Sequence, residues 1–175
     1  MTTATATTDV KIVTEAGEGH SVSLGGVGVD FKVPGEMTGG AVAIVEHPLD
    51  PGRLIPPHIH YREDELSYVV RGEIGVRIGD RDYVAGPGSY VFKPRNIPHT
   101  FWNAGPEPAH LVELIWPAGF ENFFAQLGEL AATCPPEELP ERRAELARAY
   151  DHHFVHPEWA TELKEKYGLR LLGEE

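Results

Sequence analysis

The chain has 175 residues, enough for one domain plus an extension, with an ordinary hydrophobic content of 41% and a net charge of −12. That charge, with no basic patch along the chain, excludes nucleic acid and anionic membrane surfaces as partners, and no apolar run approaches a membrane span. The single cysteine, Cys134, excludes an internal disulfide and fits a reducing cytoplasm, which is the expected location.

Residues 1–9 are Thr/Ala-rich, with neither a basic start nor an apolar core, and read as a disordered tail rather than a signal peptide. Val10 to Val33 carries short apolar alternations broken by glycines and reads as edge strands. Ala41 to Glu46 is a stronger strand. A spaced motif follows: Gly52, five residues, His58-Ile59-His60, four residues, Glu65, six residues, Gly72. Pro56 and Pro57 disfavour helix ahead of it. In an extended chain, residues two apart face one side, so His58 and His60 project together. Leu66 to Val70 resumes strand character; Ile74, Val76 and Ile78 alternate; Gly79-Asp80 marks a tight turn.

Gly86-Pro87-Gly88 is a further turn and opens a second motif: Gly88, five residues, Pro94-Arg95-Asn96, two residues, His99, three residues, Asn103. Only a hairpin-rich sheet brings His99 back to the first motif, and the turns supply those hairpins. Together the motifs offer three imidazoles and one carboxylate, His58, His60, His99 and Glu65, a set suited to one divalent transition metal. Fe(II), Mn(II), Co(II) and Ni(II) fit a site with open positions; Zn(II) and Cu(II) also stay open. Glu65 has a possible second role, taking a proton from a substrate hydroxyl.

Ala109 to Trp116 is the last clear strand, ended by Pro117. The period then changes to helical: Phe120, Phe123, Phe124, Leu127 and Leu130 share one face. Thr133 to Pro140 is a proline-rich connector. Leu139, Leu146 and Tyr150 mark a second helix. Pro157 sits in the first turn of a third, with Trp159, Leu163 and Tyr167 on it and Gly168 as its cap. His152, His153 and His156 read as surface polar residues at a helix end, since no Glu stands in a zinc-protease arrangement and Pro157 follows directly. The pocket candidates are Val76, Ile78, Phe101, Val112 and Trp116, with Phe120 and Phe124 closing one mouth. Such apolar walls, with few basic residues near the motifs, suit an enolic or aromatic substrate better than a phosphorylated or carboxylated one.

The two motifs resemble the signature motifs of the cupin superfamily, from Gly52 to Asn103. One departure is Asn96, where the family pattern has glycine; a left-handed backbone is needed there, and Asn tolerates it. The resemblance implies an all-β fold, the cupin double-stranded β-helix (jelly-roll barrel), over residues 10–117. A C-terminal helical extension, 118–175, packs on it. By resemblance His58, His60, Glu65 and His99 are the metal ligands. The stretches PPHIHYREDELSYVVRGE, PRNIPHTFWNAG and PAGFENFF are similar to single-domain cupins related to quercetin 2,3-dioxygenase. This implies a metal-dependent dioxygenase that cleaves a flavonol-like or other enolic or aromatic small molecule with O2, and a homodimer. A non-catalytic small-molecule-binding cupin and a metal-dependent isomerase or hydrolase are the alternatives.

Overall fold

The computed structural model describes residues 11–172 and residue 174, so the expected tail at 1–9 lies outside the described residues. Among these, the chain forms β1 (Ser21–Ser23), β2 (Gly28–Val33), β3 (Ala43–Leu49), β4 (Arg53–Leu54), β5 (His58–His60), β6 (Asp64–Arg71), β7 (Ile74–Ile78) and β8 (Arg81–Ala85). Next come β9 (Tyr90–Lys93), β10 (His99–Trp102), β11 (Ala109–Trp116), α1 (Glu121–Thr133), α2 (Leu139–Ala149), β12 (His152–Phe154), α3 (Glu158–Tyr167) and β13 (Arg170–Leu171). One sheet has the order β1-β2-β3-β11-β6-β9. The other runs β12-β5-β10-β4-β13, with β7 paired to β10 and β8 to β7. The chain crosses between them repeatedly, which is the jelly-roll arrangement.

Burial alternates along β3 and β11, so one face of each turns into the barrel and the other outward. Gly79, at φ 61°, makes the two-residue turn between β7 and β8. Asn96 has φ 66°, the left-handed backbone expected there. Its N–H donates to the His60 carbonyl at 2.8 Å, tying the second motif to the first. Beside it, Asp64 accepts from the Arg95 backbone N–H at 2.8 Å and from its guanidinium at 2.7 Å.

The extension does two structural jobs. The apolar stripe of α1, with Phe120 just ahead of it, packs Phe120, Phe123 and Leu127 against Val29, Val45 and Ile115 from the barrel. Each such ring contributes about 1.5–3 kcal/mol by leaving water. On the outer face of the second sheet, Leu163 of α3 and Leu169 cover Leu54 and Trp102. This is why all four residues of β10 are buried. Trp102 lies in register with Gly75. A Cβ at Gly75 would sit 2.0 Å from the indole, so only glycine admits the ring. Pro157 stands one residue ahead of α3, at its N-cap, and Gly168 closes the helix at φ 63°.

The extension is not purely helical. After α2 the chain turns at Asp151, with φ 50°, and His152–Phe154 pairs antiparallel with β5, while β13 pairs with β4. His152 is therefore buried inside, not a surface residue at a helix end. The unpaired edge of β5 offers backbone donors and acceptors that a strand satisfies and a helix end does not. His153 and His156 are exposed, as expected. No helix among the described residues is long and apolar enough to cross a membrane.

Candidate metal centre

Strand register assembles the centre. His58 and His60 lie two apart on β5 and face inward together; His99 on β10 is the direct cross-strand partner of His58. Glu65 comes from β6, in the other sheet. The four donor atoms of His58, His60, Glu65 and His99 all lie within 4.8 Å of one another, and all four residues are buried. The His60 and His99 Nε2 atoms each approach Glu65 at 3.3 Å.

The far sides of the His58 and His99 rings are held in a way that leaves Nε2 for a metal. The His58 Nδ1–H donates to the Pro56 carbonyl at 2.7 Å, and the His99 Nδ1–H to the Ile97 carbonyl at 3.0 Å. His60 Nδ1 faces the buried Glu63 carboxylate at 3.6 Å. Metal-binding histidines are commonly oriented by such carbonyl and carboxylate partners. Burial, reinforced by His99, His152 and His60, holds His58 well below its ordinary range, and burial lowers His99 as well. Both imidazoles are therefore neutral, the state a metal requires. His60 Nε2 and His99 Nε2 have no hydrogen-bond partner among the described residues. A buried polar atom so left is costly, and a divalent cation in the cluster satisfies both. The residues fit the metal.

Beside this cluster lies a charged network that the motifs do not announce. Glu65 is in register with Lys93 across β6 and β9, and Ser67 with Glu113 across β6 and β11. Lys93 Nζ reaches Glu65 at 3.0 Å and Glu113 at 2.8 Å, and Ser67 Oγ donates to Glu113 at 2.7 Å. Burial alone would raise the Glu65 carboxyl, but Lys93, His60 and His99 outweigh it and hold it well below the usual carboxylate range. Burial pushes Glu113 up to about 7, against the pull of Lys93. Burial would lower Lys93, but Glu113 and Glu65 keep it above its ordinary value.

The cluster opens onto a cavity of about 70 Å³ inside the barrel. Its wall includes Phe101, Phe120 and Phe124, and also Phe123, Phe154, His47, His152, Lys93, Glu113 and Arg143. Val76, Ile78, Val112 and Trp116 are not among the lining residues. Val76 is buried in an apolar cluster with Leu49, Val69 and Ile74, and Ile78 packs at its margin. Val112 and Trp116 lie on the outward parity of β11, since the buried residues are Ala109, Leu111, Glu113 and Ile115. Trp116 instead stacks outside on Phe92, centroids 6.0 Å apart. A one-residue slip in parity moves every side chain to the other face. Basic groups are not scarce at the site either, since Lys93 and Arg143 both face the cavity.

Residues 46–115 match the cupin domain family. No curated protein matches the chain. Solved structures share the fold. An RmlC-like cupin from Shewanella frigidimarina is 21% identical, with TM-score 0.56, covering 64% of this chain and 96% of its own. A predicted oxalate decarboxylase from Thermotoga maritima is 22% identical, with TM-score 0.54, covering 59% and 97%. KdgF from Halomonas sp. is 20% identical, with TM-score 0.53, covering 59% and 92%. The barrel is thus a cupin fold, with residues 46–115 matching the cupin domain family.

Proposed function

We propose that this chain is a metal-dependent cupin oxygenase that acts with O2 on a small enolic molecule. The observation that carries the reading is a largely apolar cavity, rich in phenylalanine, whose polar end includes the buried His58/His60/Glu65/His99 cluster. Its volume of about 70 Å³ is well below the roughly 300–1,000 Å³ of sites for drug-sized ligands. A small enol or enediol therefore suits the cavity as it stands; a flavonol enters only if the α1 wall moves.

A divalent metal bound by the four ligands supplies Lewis acidity and a meeting point for substrate oxygen and O2. The chain's own residues do the rest. Phe101, Phe120 and Phe124 exclude water and offer faces to a planar substrate. Glu65 is poorly suited to keep a proton, because Lys93 stabilises its charged form; its first task is to hold the centre. Glu113, at about 7 and in the same wall, is better matched to receive the substrate hydroxyl proton.

Oxygen uptake by metal-loaded protein, measured against a panel of small enediols, diketones and flavonols, tests the proposal. Uptake is expected with small enols. No uptake with any member overturns the oxygenase reading and leaves a binding cupin. Lys93 and Arg143 in the wall favour a second reading, a metal-dependent isomerase or hydrolase of a small acid. Turnover of such acids under anaerobic conditions would select it.

A further inference from the structure

His152 lies outside the residues matched by the cupin domain family, on the strand that the extension adds to β5. It is the direct cross-strand partner of His60. Its ring centroid is 4.7 Å from His58 and 4.9 Å from His60. Those spacings fall within the 4.4–5.5 Å that separates the three ligand imidazoles from one another. The residue is buried at 4% exposure and lines the cavity, against the rings of Phe120 and Phe123. Neither Nδ1 nor Nε2 has a hydrogen-bond partner among the described residues.

A buried imidazole with both nitrogens unpaired calls for a partner. The described residues offer none. The mutually close donors are His58, His60, Glu65 and His99, without His152, so the four-ligand set is complete without it. What remains is the molecule that enters the cavity and occupies an open position of the metal. We propose that His152, supplied by the C-terminal extension, donates a hydrogen bond to the small anionic or oxygen-donor ligand held at that position. The extension thereby contributes a ligand-selecting residue to the barrel. The proposal rests on the metal centre but not on the oxygenase reaction.

The test uses full-length protein reconstituted with Co(II) and titrated with azide, followed by the visible absorption of the metal. Wild type should bind one cobalt per chain and change its spectrum with azide. His152→Ala should keep its cobalt content and its spectrum without azide, yet bind azide about 10-fold more weakly, the size expected of a hydrogen bond to a charged group. His152→Gln, which keeps a donor, should recover most of the affinity. Azide affinity in His152→Ala within two-fold of wild type overturns the proposal. So does loss of cobalt from both variants, which would make His152 a ligand or a structural support. Wild type that takes up no cobalt would instead overturn the metal centre itself.

Discussion

Lys93 is the sharpest place to test how the charged half of the site is held together. Its side chain is 2% exposed and lies 3.0 Å from Glu65 and 2.8 Å from Glu113. At an effective dielectric of about 20, each contact amounts to about 5–6 kcal/mol of attraction. The desolvation of three buried ions, several kcal/mol each, offsets most of that. The net value of the pairing is therefore small, but breaking it is not. Lys93→Met leaves two buried carboxylates without their cation, a change that typically costs about 3–5 kcal/mol. Glu113 already sits near 7 and can take up a proton cheaply, so the cost should fall at the low end, about 3 kcal/mol at neutral pH. Adding Glu113→Gln should restore about 1 kcal/mol or more, since it removes one stranded charge. Loading metal should reduce the cost further, because the ion then faces Glu65. The assay is urea unfolding of metal-free and metal-loaded forms of the single and double variants. A loss below about 1 kcal/mol in the metal-free single variant would refute the network as described, and so would a double variant less stable than the single.

Three further outcomes are expected. Purified or reconstituted protein should hold about one divalent metal per chain, and His58→Ala or His60→Ala should each lose most of it by elemental analysis; wild type that stays metal-free with Fe, Mn, Co and Ni sinks the centre. His47, held by burial at about 4 against an ordinary 6.5, binds its proton more readily when unfolded. Metal-free protein should therefore lose stability as pH falls from about 6.5 to about 4, by about 3 kcal/mol from this residue. The contribution is complete above that window, and His47→Gln should flatten the slope of urea midpoints within it. Phe124→Ala should raise KM more than it lowers kcat, since it removes a wall contact shared by ground and transition states; equal kcat and kcat/KM losses would place Phe124 in the chemistry instead.

The His58/His60/Glu65/His99 cluster was legible because part of its geometry is local and the turns bring His99 back to it. Two histidines separated by one residue share a strand face under any register, and Asn96 tolerates the left-handed turn that brings His99 home. The pocket wall was less legible, and the reason is visible in β11. Both of its faces are largely apolar, with Ala109, Leu111 and Ile115 on one and Val112, Leu114 and Trp116 on the other. Apolar pattern alone therefore does not decide which face turns inward, and the inward face also carries the carboxylate Glu113. It is inward because Lys93, far from it in sequence, arrives opposite on a different strand (a pairing that the order β9-β6-β11 creates). His152 was misread for a similar reason. Its partner is the open edge of β5, and nothing local to His152-His153-Phe154 names that edge.

These misplaced charges also bear on the chemistry. A buried site resists any change in its net charge, because an uncompensated ion in such surroundings costs several kcal/mol. Releasing a substrate hydroxyl proton to water would create that change; passing it to a group inside the same wall would not. Glu113 meets the requirement on three counts. It faces the cavity, it sits near 7, and Lys93 bridges it to the Glu65 ligand. Glu113→Gln keeps the shape and the Ser67 neighbour but cannot receive the proton. The variant should fold, retain about one metal per chain and still bind azide, while kcat with the best enol falls about 10²–10⁴-fold. Glu65→Gln should behave differently, losing metal affinity along with turnover, because Glu65 belongs to the donor cluster. If Glu113→Gln turns over at the wild-type rate, the proton goes elsewhere, and the Lys93–Glu113 pair is a structural clamp on Glu65.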